Sequence, residues 1–198
     1  MHRPIGLVLS GGTGSRLGRD KGRLELGGQT LAARGARVLA SLCNEVLVSI
    51  RAGGSNPAPG FSVIEDASPP GRGPLAGIFA AMMATRDRDL LVLACDYPRV
   101  EGALLRSLLA AARPSYDLLF PVDSSGRDHP LVGLWRRRTE LRIRDALEAG
   151  SFRVGALVAE LAVRRLGAVE LGDGELDETL INVNRQADLE RARGDSAP

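Results

Sequence analysis

Short apolar runs alternate with longer stretches of helical spacing along this chain. Ile5-Gly-Leu-Val-Leu9, Val46-Leu-Val-Ser-Ile50 and Leu90-Leu-Val-Leu-Ala94 are apolar at successive positions rather than alternate ones. That is the pattern of strands covered on both faces. Leu90–Ala94 is purely apolar, which predicts a central place for it. Phe61-Ser-Val-Ile-Glu65 predicts a short third strand in chain order, and Leu118–Val122 and Leu131–Trp135 two more around a polar loop. Val163–Val169 predicts an edge strand. Helices are predicted over 30–40, with Leu31, Arg34, Val38 and Leu42 near helical spacing, and over 74–85, with Pro74 in the first turn where its missing N–H costs nothing. Further helices are predicted over 102–112, 138–148, 154–160 and 185–193. The stretch 52–60 holds Gly, Ser, Asn and Pro and reads as a loop.

Regular strand–helix alternation implies a three-layer α/β/α fold around a mostly parallel, doubly wound sheet. In such sheets ligands bind beyond the carboxyl ends of the strands, where the winding reverses. The residues just after each strand are therefore the candidates for function.

Composition narrows the class. At 198 residues the chain is long enough for one domain with a real core, and 44% hydrophobic residues exclude a disordered chain. The balance of 26 basic against 24 acidic residues gives +2, which argues against a nucleic-acid binder. Only two Cys are present, so no disulfide framework is implied. The first apolar run is too short for a membrane span or a signal core, so a cytoplasmic protein with no membrane partner is expected.

Of the 26 basic residues all but Lys21 are Arg. Lys21 closes the segment Ser10-Gly-Gly-Thr-Gly-Ser-Arg16-Leu-Gly-Arg-Asp-Lys21, directly after the first strand. Its glycines let backbone N–H groups approach an anion, and Arg16 and Lys21 add positive charge, a combination suited to a polyphosphate. It is not a Rossmann fingerprint, because Leu17 stands where the last glycine is needed. Nor is it a P-loop, because Gly22 follows Lys21 instead of preceding it.

Asp96 follows the most apolar strand, and a carboxylate there can hold a hard ion such as Mg²⁺ that is completed by substrate phosphates. Asp96-Tyr97-Pro98 is also good turn chemistry, and the two roles are compatible. Asp66 ends a short strand and can accept hydrogen bonds from a nucleotide, or serve as a loop carboxylate. Gly73-Pro-Leu-Ala-Gly77 opens a helix with small residues. Asp128 and His129 lie in a loop before a strand, where acceptor binding and loop positioning compete. Asn182 and Asn184 alternate, as if along a short strand, with helix capping as the competing role of Asn184. The basic run Arg136–Arg138, with Arg142 and Arg144, reads first as a solvated face.

Leu9-Ser10-Gly11-Gly12 through Arg16-Leu17-Gly18 to Asp20-Lys21 resembles the signature of the α/β nucleotidyltransferases, and more narrowly that of the molybdenum cofactor guanylyltransferases. Val63–Asp66 with Gly73–Gly77, Cys95–Pro98, Asp128–Pro130 and Asn182–Asn184 are similar to the later blocks of that family, in the same order. The departures are Ser10, Gly14, Leu17 and Ser49; the last replaces an expected amide.

The resemblance implies transfer of GMP from GTP to molybdenum-molybdopterin with release of pyrophosphate. Arg16, Lys21 and Asp96 would be catalytic, with Asp96 holding Mg²⁺. Leu9, Ser10, Gly11, Gly12, Lys21, Ser49, Asp66 and Asp96 would bind the nucleotide. Asp128, His129, Asn182 and Asn184 would bind the acceptor. One domain over 1–198 is expected, with a nucleotide half at 1–112, an acceptor half at 113–193 and a tail at 194–198. Cofactor-delivery proteins or molybdoenzyme chaperones are the implied protein partners. The rival readings are a relative that uses CTP or a sugar-phosphate acceptor, and a non-catalytic nucleotide-binding module.

Overall fold

The computed structural model describes residues 3–10, 21–66 and 73–183, together with Asp188. The elements run in the order β1 (Ile5–Leu9), β2 (Glu25–Leu26), β3 (Gln29–Thr30), α1 (Leu31–Ala40), β4 (Val46–Ile50), β5 (Ser62–Glu65), α2 (Pro74–Ala84), β6 (Leu90–Ala94) and α3 (Gly102–Ala110). They continue with β7 (Leu118–Pro121), β8 (Val132–Trp135), α4 (Glu140–Glu148), α5 (Val154–Val158), β9 (Val163–Leu166), α6 (Ala168–Leu171) and α7 (Leu176–Thr179).

Seven strands form one sheet in the order β5-β4-β1-β6-β8-β7-β9. Pairs β4–β5, β1–β4, β1–β6 and β7–β9 are parallel. The predicted central strand, β6, stands fourth of the seven, and every residue of β1, β4 and β6 is buried. Strand β9 is an edge, as predicted, but it ends at Leu166, and Ala168 opens α6.

The mostly parallel sheet is as expected, and two features go beyond the sequence reading. Strand β8 runs antiparallel to both β6 and β7. Its link to β7 spans only residues 122–131, and a parallel crossover needs a dozen residues or more. β2 and β3 form a separate hairpin before α1, turned by Gly27 (φ 60°) and Gly28 (φ 74°). Both glycines carry the positive φ that a two-residue turn requires. The hairpin ends at Thr30, whose side chain accepts from Ala33 N at 3.1 Å and so caps α1 rather than joining it. The expected helix over 185–193 lies outside the described residues apart from Asp188.

Glycines show how the layers close. A Cβ on Gly35 of α1 would touch Val8, and one on Gly77 of α2 would touch Leu9. Val8 and Leu9 are neighbours on β1 and point to opposite faces. Helices α1 and α2 therefore cover opposite faces of the sheet, which makes the three layers. The core is continuous through both halves, and cutting a buried leucine such as Leu91 or Leu134 to alanine should cost about 2–5 kcal/mol. The basic run is tied down by ion pairs: Arg136 to Asp89 at 2.7 Å, Arg137 to Glu140 at 2.6 Å and Arg138 to Asp117 at 2.5 Å. Among the described residues no helix is long and apolar enough to cross a membrane.

Candidate active site

After β1 the chain crosses to β4 and β5 on one side, then returns to β6 on the other. The winding reverses between β1 and β6, where Leu9 lies in register with Ala94. Ser10, Ser49, Asp66 and Asp96 gather around these strand ends. Ser10 is buried, and both its N–H (3.2 Å) and its hydroxyl (2.5 Å) donate to the Ser49 carbonyl. The Ser49 hydroxyl donates to Asp66 Oδ1, and Asp66 N–H donates to the Ile50 carbonyl at 2.8 Å. Burial raises the Asp66 carboxyl above the usual range, against the Ser49 hydrogen bond and the charge of Arg51. Helix α2 comes close enough here that a Cβ on Gly77 would collide with Ser49 Oγ and come within 2.9 Å of Asp66 Oδ1. Glycine at this position is what lets the helix N-terminal turn meet the polar cluster.

Residues Ala94 to Tyr97 form a turn, closed by Tyr97 N–H on the Ala94 carbonyl at 3.2 Å. This turn presents Asp96. Lys21 opens a 3-10 turn, Lys21–Arg23, and its Nζ lies 3.3 Å from Asp96 Oδ2. Oδ1 of the same carboxylate is buried and accepts no hydrogen bond among the described residues. A buried carboxylate oxygen without a partner is costly and implies one still to come. A divalent cation fits that position. Among the described residues no cluster of three or more His, Cys, Asp or Glu could hold such an ion, so Asp96 would share it with phosphates and water.

The second half supplies a different constellation. His129 is only 2% exposed, and its ring bridges Tyr97 Oη (3.2 Å to Nδ1) and Asp123 Oδ2 (3.0 Å to Nε2). The Tyr97 and His129 rings meet edge to face, 5.7 Å apart. Bonds from the Ser125 hydroxyl, His129 and the Arg127 backbone hold the Asp123 carboxyl well below the usual range. Burial pushes the Tyr97 phenol up, opposed by a hydrogen bond from Asn182 that favours the phenolate. Val183 N–H donates to the Asp96 carbonyl at 2.8 Å, so the Asn182 segment docks directly on the Asp96 turn. That bond replaces the strand expected there: residues 181–183 join no ladder. Asp128 faces away from this cluster in its bonding, since Arg165 Nε and Nη2 take its two oxygens at 2.8 and 2.9 Å.

The structure thus brings Leu9, Ser10, Ser49, Asp66, Lys21 and Asp96 to one end of the sheet, with His129 joined to the Asp96 turn through Tyr97 and the Asn182 segment joined to it through the Val183 N–H. Gly11, Gly12, Arg16 and Asn184 lie outside the described residues. Sequence reading missed Asp123 and gave Tyr97 no role. A Tyr next to the strand-end Asp, and an Asp six residues before the loop His, were the available signals.

A switch point with an ammonium beside a carboxylate at the strand ends suits the handling of phosphates together with a divalent ion. Comparison with known proteins agrees. The MobA-like NTP transferase domain family matches residues 6–166. The chain is 34% identical to the molybdenum cofactor guanylyltransferase of Pseudomonas fluorescens over 192 residues, covering 95% of this chain and 92% of that one. Among solved structures it is similar to molybdopterin-guanine dinucleotide biosynthesis protein A from Archaeoglobus fulgidus, with a TM-score of 0.79, 23% identity and coverage of 96% and 97%. It is also similar in fold to Rv0371C of Mycobacterium tuberculosis in complex with manganese, with a TM-score of 0.66, 18% identity and coverage of 98% and 100%. The chain belongs to the MobA-like NTP transferase family, and within it to the molybdenum cofactor guanylyltransferases.

Proposed function

We propose that the chain transfers GMP from GTP to the terminal phosphate of molybdenum-molybdopterin, forming the guanine dinucleotide cofactor and releasing pyrophosphate. The observation that carries this reading is Asp96: one oxygen beside Lys21, the other buried and without a hydrogen bond among the described residues, at the point where the winding reverses. The name of the Pseudomonas fluorescens relative supports the choice of acceptor and base.

The acceptor phosphate is anionic near neutral pH and attacks the α-phosphate of GTP, so the protein's work is positioning and charge neutralisation. Lys21, with Arg16 and the backbone of Gly11 and Gly12, holds the triphosphate and the departing pyrophosphate. Asp96 would hold Mg²⁺, which supplies Lewis-acid stabilisation of the reacting phosphates. The fold neighbour with bound manganese supports a divalent ion. Leu9, Ser10, Ser49 and Asp66 line the base and sugar side. Asp66, part-buried beside Ser49, accepts from a donor on the nucleotide. On the acceptor side the contacts fall to Asn182 and Asn184, with His129 steadying Tyr97, while Asp128 holds β9 to the loop. We place the division between nucleotide and acceptor halves near residue 112. In the cytoplasm, delivery proteins or molybdoenzyme chaperones would take the product.

The test is incubation with molybdopterin, Mg²⁺ and each nucleoside triphosphate, reading pyrophosphate and the dinucleotide. The expected result is a clear lead for GTP in kcat/KM, because a wrong base leaves buried polar groups unpaired. Equal values for CTP, or turnover with a sugar 1-phosphate and none with molybdopterin, would overturn the assignment.

A further inference from the structure

Of the 26 basic residues in the chain, the one that is lysine stands beside Asp96. A second pair in the same molecule shows what that choice does. Arg165 takes both oxygens of Asp128 in a fork, at 2.8 and 2.9 Å. The Lys21 ammonium meets Asp96 at Oδ2, 3.3 Å away, while Oδ1 stays buried without a hydrogen bond among the described residues. A guanidinium fork saturates a carboxylate. A compact ammonium balances its charge and leaves an oxygen open.

The backbones that carry this pair are pinned on both sides. Leu24 N–H donates to the Lys21 carbonyl at 3.1 Å, and Gly22 beside it is buried. On the other side Val183 N–H donates to the Asp96 carbonyl at 2.8 Å, and Arg34 Nε donates to that of Pro98 at 2.6 Å. What is left to move is the flexible four-carbon stem of Lys21. Electrostatics then sets the order of events. The pair is mostly shielded from water, with side-chain exposures of 14% and 19%. A dication on Asp96 would therefore feel the ammonium as a like charge at short range, where screening is incomplete. A triphosphate resolves that conflict, because it offers the ammonium other anionic oxygens.

We propose that Lys21 is an exchangeable counter-ion of Asp96. In the free protein its ammonium holds the carboxylate. When a nucleoside triphosphate binds with its divalent ion, the ammonium passes to the phosphates and Asp96 is released to the ion. Metal and nucleotide therefore load as one unit, and the protein alone holds the metal poorly. The proposal rests on the reading of this site as one for a nucleoside triphosphate; the base and the acceptor do not enter it.

The first test is Mn²⁺ binding without nucleotide, followed by electron paramagnetic resonance, in the parent, Lys21→Gln and Asp96→Asn. Lys21→Gln should bind Mn²⁺ about tenfold more tightly than the parent, the scale of one like charge removed at this range. Asp96→Asn should bind it more weakly. With Mg²⁺ present, the affinity for GTP should move the other way and fall about tenfold in Lys21→Gln, as a charge-assisted phosphate contact is lost. A pair that only ties the turn to its neighbour would not move the two constants in opposite directions.

The second test needs no substitution at the site. Because the chain has a single lysine, nitrogen-15 labelling of lysine gives one side-chain ammonium resonance. It should shift when Mg²⁺ and GTP are added together and stay in place with the same concentration of Mg²⁺ alone. A nucleotide-free Mn²⁺ affinity in Lys21→Gln equal to or below that of the parent would overturn the proposal. So would an ammonium resonance that keeps its free-protein position with Mg²⁺ and GTP bound. Should no nucleoside triphosphate bind the parent, the nucleotide reading fails by itself, and the Mn²⁺ comparison still decides whether the ammonium holds the ion's place.

Discussion

The carboxylates at the strand ends of the first half and three carboxylates of the second half are treated differently. In the second half Asp117, Asp123 and Asp128 each have both oxygens engaged. Asp117 receives Arg138 Nε at 2.5 Å and Ala162 N–H at 3.0 Å. Asp123 receives the loop backbone and His129, and Asp128 the fork of Arg165. In the first half Asp96 has a buried oxygen that accepts no hydrogen bond among the described residues, and partial burial raises the Asp66 carboxyl against the Ser49 hydrogen bond and the charge of Arg51. Saturated carboxylates hold loops and edge strands together. Unsaturated ones are a cost to the free protein that a ligand can relieve. On the proposed reading, the asymmetry puts the charge-handling chemistry at the ends of β1 and β6 and leaves the second half to shape the site.

Asp96→Asn should break this contrast most severely. The substitution keeps shape and removes the charge toward a divalent ion, whose stabilisation of reacting phosphates is worth several kcal/mol. Turnover should fall about a thousandfold or more, with the thermal midpoint within a few degrees of the parent. Retained wild-type Mg²⁺ dependence would make Asp96 a turn residue like those of the second half.

Lys21→Ala should come next. Electrostatic donors to developing phosphate charge are worth about 3–4 kcal/mol, so turnover should drop about a hundred- to a thousandfold. The ion pair with Asp96 is only partly exposed, at 14% and 19%, yet its loss should leave the fold in place. Near-normal kcat in a folded variant would remove the phosphate role.

Asp128→Asn should act on the other side of the comparison. Its pair with Arg165 is part-exposed, 49% on the Arg side, so screening limits its worth to about 0.5–1 kcal/mol of stability. Arg165 also stacks over Phe120, with 5.5 Å to the ring centroid, which the substitution leaves intact. Denaturant unfolding should register the loss, while kcat/KM stays within about twofold, the span of that same exposed-pair energy. A tenfold rise in acceptor KM would return Asp128 to the binding site.

How much of this was legible beforehand depends on range. The buried strands β1, β4 and β6 declare themselves because a two-faced burial writes unbroken apolar runs. The strand-end residues Ser10, Lys21, Asp66 and Asp96 were found because the α/β winding tells where to look. Strand direction at β8 was legible only from the short link before it. The hairpin of β2 and β3 has two-residue strands, too short for any period to show. The chain through Tyr97, His129 and Asp123 joins loops after two different strands, and only tertiary packing decides which polar groups meet. Asp128 and His129 are adjacent in sequence yet bond to opposite partners, Arg165 and Tyr97. Adjacency alone could not separate them.

The smallest effect, and the one that reads the contrast in a single experiment, is the pH dependence of stability in Asp66→Asn and Asp123→Asn. Asp66 is raised in the fold by burial, so between the unfolded carboxylate value, about 3.9, and its folded value the native state holds a proton that the unfolded chain has released. Stability contributed by this group therefore falls as pH rises through that window. Asn keeps the oxygen that accepts from Ser49 and removes the buried charge. Asp66→Asn should gain stability relative to the parent as pH rises, and the difference should level off above the folded value. Asp123 is depressed, by the Ser125 hydroxyl first and by His129 and the Arg127 backbone after it. Its contribution is fully present above the unfolded value and is lost as pH falls through the folded one. Asp123→Asn should therefore be less stable than the parent at neutral pH, with the deficit shrinking as the medium is acidified below about pH 4. Urea unfolding of the three proteins across that range gives two difference curves of opposite slope if the halves differ as described. Parallel curves would mean that Asp66 is as well compensated as Asp123, and the contrast would rest on Asp96 alone.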